Sequence, residues 1–192
     1  MILRRSCLAL LLALALPVSS ALAQATGPVP PAAPAPTTLE SLFQRLRAAK
    51  DPNEGRAIAK QIEQRWLRSP SDTANLLMAR VNQAMTANAR ETGIELIDYI
   101  LQLQPQWAEA YNKRATLLFL MDDYDGALRD IRSTLAHEPR HFGALAGRGM
   151  IYEAMDKPDE ALAAYREALT MNPYMAGVTD KVKLLEKLRP DI

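Results

Sequence analysis

Two short stretches of this chain carry residue types that could do chemistry. His137, Glu138 and His141 stand in the order H-E-x-x-H. In a zinc hydrolase that order works because one continuous helix turns both imidazoles to one face and sets the carboxylate beside the metal as general base. Here Pro139 falls inside the motif, and a proline in a helix interior removes an amide donor and clashes with the preceding turn. These are the only two histidines, and the single cysteine, Cys7, lies far away near the N-terminus. A zinc-dependent hydrolase working through His137, Glu138 and His141 is therefore the remote reading, and no metal or cofactor is expected. The second stretch is Asp122, Asp123 and Asp125. Its spacing departs from the D-x-D-x-D-G of a calcium loop, and acidic residues are ordinary in a polar turn. No G-x-S-x-G, phosphate-cradling glycine loop or Cys–His pair occurs, so no enzymatic activity is expected.

What must position these residues is set by the rest of the chain. Its 192 residues are 48% hydrophobic and 23% charged, with 23 Lys and Arg against 22 Asp and Glu. That suits an ordinary core-forming protein. A net charge of +1 provides no basic field to gather nucleic acid. Residues 1–23 combine Arg4-Arg5, an apolar run from Leu8 to Leu16 and an Ala21-Leu22-Ala23 site. This is the pattern of a cleavable secretory signal, too short in its apolar part to span a bilayer. Cleavage is expected after Ala23 or Ala25. Its removal takes away two arginines, no acids and the only cysteine. The mature chain then has no thiol, which fits the oxidising periplasm, with secretion the alternative. No transmembrane segment is expected in that mature chain. Residues 24–37 are rich in Pro and Ala and are expected to form a disordered tether.

Beyond residue 37 the chain is periodic. Pro105, Pro139 and Pro173 are 34 residues apart. Small residues recur in that phase at Val81, Ala115 and Gly149, and again at Gly93, Ala127 and Ala161. Larger apolar residues recur at Ile97, Ile131 and Tyr165 and at Leu101, Leu135 and Leu169. Each unit contains two apolar patterns of helical period, such as Ala110–Met121 and Tyr124–His137, split by a polar turn. The small residues in register let the two helices approach closely, and the proline ends the second. A hairpin of this kind leaves an apolar face that only its neighbour can cover. Arg80, Arg114 and Arg148 share the phase. Their stems are expected to pack between hairpins, an anion-binding ladder being the alternative.

The units starting at residues 74, 108 and 142 resemble the tetratricopeptide repeat (TPR). The second supplies Tyr111, Ala115, Leu118, Ala127, Ile131 and Pro139 of the family pattern and departs from it at Thr134. The third supplies Leu145, Gly149, Tyr152, Ala161, Tyr165, Ala168 and Pro173, with Pro158 where Tyr is common. The first is degenerate at Ala84 and Gly93. The whole chain is similar to periplasmic TPR proteins of alphaproteobacterial type. The resemblance implies an all-α fold, an α-α superhelix (a TPR solenoid of helical hairpins) of about seven to nine helices. The expected organisation is a divergent N-terminal helical pair at 38–72, a degenerate first repeat at 74–107, a second at 108–141, a third at 142–175, and a C-terminal capping helix and tail at 176–192. In the pair, Leu39, Leu42, Phe43 and Leu46 make one stripe and Ile58, Ile62 and Trp66 another, with a capping box at Thr37 to Glu40. Pro70 sits one residue out of phase, so the pair is expected to be a less regular cap on the array.

The resemblance also implies a concave surface lined by the first helix of each hairpin. Carried over by phase, it comprises Asn75, Met78, Asn82, Met85 and Thr86; Glu109, Asn112, Thr116, Phe119 and Leu120, with Lys113 beside them; and Gly143, Ala146, Met150, Glu153 and Ala154. Gly143 and Gly147 occupy places where relatives that clamp a C-terminal carboxylate carry basic residues, which argues against that clamp. The function so implied is a non-enzymatic scaffold of the bacterial periplasm, holding a partner peptide or helix in its concave groove. The alternative is a self-assembling protein whose groove is filled by its own tether or by a second copy.

Overall fold

The computed structural model describes residues 38–188. The expected signal, the tether and the last four residues lie outside them. The described residues form nine α-helices and no strand: α1 (Leu39–Ala48), α2 (Pro52–Trp66), α3 (Asp72–Thr86), α4 (Arg90–Leu103), α5 (Ala108–Leu120), α6 (Tyr124–His137), α7 (Phe142–Ala154), α8 (Pro158–Met171) and α9 (Ala176–Leu188).

The ends of the helices follow from local chemistry. Thr38, Asp51, Ser71, Asp123 and His141 each accept a first-turn backbone N–H at a helix N-terminus, satisfying a donor that the helix leaves unpaired. The cap of α1 is Thr38, which bonds Ser41. The expected box begins at Thr37, outside the described residues, and Glu40 ion-pairs with Arg140 at 2.8 Å. Within each hairpin the turn passes through one residue of positive φ: Asn88, Asp122 and Asp156, again 34 apart. Asn and Asp tolerate that left-handed conformation better than other side chains. This explains the acidic stretch in the second repeat. Asp122 makes the turn, and Asp123 caps α6 by accepting from Gly126 N at 2.9 Å.

Three hairpins, α3–α4, α5–α6 and α7–α8, stack in chain order, and α9 lies on α8. The small positions of the period sit at the contacts. A Cβ at Gly149 would run into the Tyr165 ring, and one at Gly93 would come within 2.8 Å of Leu117. Thr134 stands where the family has Ala. It is fully buried, and its hydroxyl donates to the Asp130 carbonyl at 2.9 Å within its own helix, so it introduces no unpaired polar group.

The pair α1–α2 departs from expectation, for it does not cap the array by stacking on α3. Leu42, Phe43, Leu46, Ile58, Ile62 and Trp66 form a core with Phe142 at the start of α7, flanked by Met171, Tyr174 and Met175. The pair thus lies across the N-terminal ends of α5, α7 and α9. Trp66 stacks on His141 with ring centroids 4.1 Å apart, and Trp107 Nε1 donates to the Trp66 carbonyl at 2.7 Å. Tyr174 donates its hydroxyl to the Ala49 carbonyl, also at 2.7 Å. The physical reason is the size and kind of the apolar face. Three aromatic rings, Phe43, Trp66 and Phe142, interleave there, burying more surface than a stack of alanine-sized register positions would.

Candidate functional site

The concave wall is built by α3, α5 and α7. Because α1–α2 folds over it, its residues fall into three groups. The first is largely buried. Met78, at 3% exposure, is part of the core between the first two hairpins, and Glu109 is 6% exposed. Both offer less surface than expected: Met78 only reaches the wall of a cavity of about 490 Å³ beside Asn75 and Asn82, and Glu109 only the small cavity under α2. Asn75 is half-buried and bonds the linker before α3, accepting from Ser69 N at 2.8 Å and donating to Ser69 O at 2.9 Å. Met85 packs against the same core as Met78.

The second group surrounds a small cavity of about 210 Å³ under α2, which includes Asn112, Lys113 and Glu109 with Glu63, Trp66 and His141. Glu109 Oε2 lies 3.0 Å from His141 Nε2. His141 Nδ1 accepts from Ala144 N at 3.1 Å, so the ring proton is on Nε2 and is donated to the carboxylate. Asn112 donates to Glu109 at 3.1 Å and Lys113 stands 3.6 Å from it. Burial pushes the Glu109 carboxyl up, but the hydrogen bond from His141, with Lys113 and Asn112, outweighs it and holds the carboxyl below its ordinary range. Glu63 on α2 is moved the other way, by partial desolvation first and then by the charge of Glu109.

The remaining groove residues are open. Asn82 and Thr116 are exposed. Phe119, Met150 and Glu153 line a cleft of about 920 Å³ between α2, α7 and α9. Its floor is apolar, with Met150 half exposed beside Ala146, Tyr174, Met175 and Val178. Arg56, Lys60 and Lys181 stand at its edge, as do Glu63 and Glu153. Glu153 accepts from the Tyr165 hydroxyl and pairs with Lys181 at 3.1 Å. The α2 and α9 walls were missing from the sequence reading. The one available signal was the surplus of aromatic residues at the unit junctions, Trp107, Phe142 and Tyr174, which hairpin stacking does not need.

The H-E-x-x-H residues are not brought into a metal geometry. His137 ends α6 and stacks on Tyr111, while His141 caps α7 with one ring nitrogen and meets Glu109 with the other. Glu138 is engaged by Arg140 at 3.1 Å. Among the described residues no group of three or more His, Cys, Asp or Glu could hold a metal ion. The in-phase arginines are structural in two of three cases. Arg114 bonds Asp130 at 2.7 and 2.8 Å and Asp98 of the preceding hairpin at 2.6 Å. Arg148 bonds Glu167. Arg80 is exposed.

Comparison with known proteins places this architecture. The family model for the tetratricopeptide repeat matches residues 143–175. A TPR repeat-containing protein of Rhizobium etli is 35% identical over 151 residues, covering 78% of this chain and 74% of the relative. The chain belongs to the tetratricopeptide repeat family. A small glutamine-rich TPR-containing protein of Saccharomyces cerevisiae is 31% identical over 88 residues, 46% of this chain and 25% of that protein. Among solved structures, the first TPR domain of Spaghetti bound to an HSP90 peptide superposes with a TM-score of 0.58 at 19% identity. It covers 62% of this chain and 94% of that one. MamA superposes with a TM-score of 0.55 at 18% identity, covering 78% and 79%. These likenesses are of the TPR fold. As a TPR protein the chain is a protein-interaction module. Among the described residues part of the groove wall is covered by α2, a contact the sequence reading did not foresee.

Proposed function

We propose that this protein is a non-enzymatic scaffold of the bacterial periplasm that holds one segment of a partner protein, an amphipathic helix or an extended strand, in the cleft between α2, α7 and α9. The observation that carries this reading is the open apolar floor of that cleft, with Met150 half exposed at its centre. The rest of the inner wall under α2 is already covered. Methionine is suited to a binding surface because its flexible thioether adapts to the shape it meets. Arg56 and Lys60 at the edge favour a partner that carries carboxylates beside its apolar face. A single segment in such a cleft gives micromolar binding, about −8 kcal/mol.

The test is periplasmic capture with wild-type protein and with Met150→Glu, followed by crosslinking from a photoreactive residue at position 150. The reading expects loss of one crosslinked partner in the variant at unchanged helicity. Equal capture by both proteins overturns it. The compartment is tested separately. Protein recovered from the periplasmic fraction should begin at Gln24 or Thr26, and an unprocessed cytoplasmic chain would overturn the export reading.

A further inference from the structure

We infer that the α3–α4 end of the array pairs with the same end of a second copy of this chain, giving a two-fold dimer. The reason lies in what the internal hairpins show at equivalent positions. Ala110 and Ala144, the third residues of the second and third units, are fully buried against the core of the hairpin before them. Leu76 holds that place in the first unit, and it is 60% exposed because α1–α2 lies over the groove instead of on this end. Tyr99, at 60%, and Leu103, at 49%, extend the bare surface along α4.

The charges on this face repeat the pattern. Arg114 is held by Asp130 of its own hairpin and Asp98 of the hairpin before it. Arg80 is its equivalent one unit earlier, where Leu96 replaces the Asp130 position and no earlier hairpin supplies the other carboxylate. Two features choose a second copy in two-fold arrangement over head-to-tail stacking. The opposite end of the array is mixed, since α9 turns Lys183, Glu186 and Lys187 outward among the exposed Leu184 and Leu188. Setting Leu76 and Tyr99 against it would bury charge on apolar surface. Antiparallel pairing of two α3–α4 ends sets apolar on apolar. It also brings Arg80 of each copy opposite the exposed Glu95, which shares the Tyr99 and Leu103 row of α4 at intervals of four residues. Such a contact closes on itself, as most homodimers do.

Sedimentation equilibrium of the purified protein tests this. Wild-type protein and Met150→Glu should both dimerise, so that failure of the cleft and failure of this surface are told apart. Leu76→Glu with Tyr99→Glu should weaken the dimer by more than about tenfold at unchanged helicity. Arg80→Glu alone should weaken it, and adding Glu95→Arg should restore it. The inference is overturned by wild-type protein that stays monomeric at its highest attainable concentration, or by a dimer that survives the double Glu variant. It is equally overturned by a dimer that Met150→Glu dissolves, or by a monomer that pairs only after removal of residues 24–37, which would assign the face to the chain's own N-terminal segment.

Discussion

The elements at the two ends of the array, α9 and the α1–α2 pair, each carry an apolar stripe, and each could cover a hairpin. Only α9 does. It begins 34 residues after α7 and follows a proline in phase, and it lies on α8 with Leu185 buried and Val178 and Val182 beside it. The pair precedes an out-of-phase proline, Pro70, and its face is larger and more aromatic. It joins the wall at Phe142, Met171 and Tyr174 instead of α3. The difference separates two kinds of information. An apolar stripe says that a helix is buried, and the phase of the repeat says against what.

The strongest way to break this contrast is to remove the ring at its centre. Trp66→Ala deletes the stack on His141 and the contacts with Phe43 and Phe142, and large-to-small changes of this kind cost about 3–5 kcal/mol. Amide exchange should then quicken throughout α1–α2 while α5–α8 stays protected. Uniform loss of protection would show that the pair and the array unfold as one unit.

Two glycines sharpen the comparison. A Cβ at Gly55 of α2 would run into the Tyr174 ring, and one at Gly149 of α7 into Tyr165. Overpacking costs about 1–3 kcal/mol in each. Gly149→Ala should lower the thermal midpoint of the array, whereas Gly55→Ala should loosen only the pair. Gly177→Ala in α9 meets nothing within 4 Å and should be neutral or stabilising by up to about 1 kcal/mol.

A smaller effect is expected from pH, where two carboxylates across the α2 interface act in opposite senses. Glu109 is held below its ordinary value of 4.5 in the folded chain. Its contribution is therefore complete above pH 4.5 and is lost as pH falls through the lower folded value. Glu109→Gln should cost about 1–2 kcal/mol at neutral pH and flatten the acid limb of a urea-denaturation series. Glu63 is raised above 4.5, so its ionisation opposes folding at neutral pH and that opposition fades as pH falls towards 4.5. The smallest effect is expected here: Glu63→Gln should stabilise slightly at pH 7 and make no difference at pH 4. A gain that grows towards acid pH would contradict the assignment.

Much of this was legible before any coordinates. Gly149, Ala115 and Val81 announce where two helices touch, because nothing larger fits between them. Pro105, Pro139 and Pro173 announce where each hairpin ends. The Asp122 turn could be read as polar, though not that Asn88, Asp122 and Asp156 share one backbone conformation. The groove was legible only in outline. Met78 and Glu109 have the right phase for its wall, but phase cannot tell a residue facing a partner from one facing the neighbouring hairpin or α2. His141 shows the same limit. Its spacing from His137 suggested a ligand, and the fold uses it as a helix cap, a partner of Glu109 and a platform for Trp66.

The chain's local order by itself determined that it is helical, that its helices form hairpins, and that three hairpins stack in sequence. Periodicity, proline breaks and small residues in register act over one or two turns and between adjacent helices, so they can be read along the chain. Only the tertiary structure decided where α1–α2 goes, that the groove is closed under α2 and open beside α9, and that the α3–α4 end is left bare. Those outcomes depend on which of two apolar surfaces interlocks better with the same stripe. Close packing of Trp66, His141 and Phe142, distant in sequence, settles that contest.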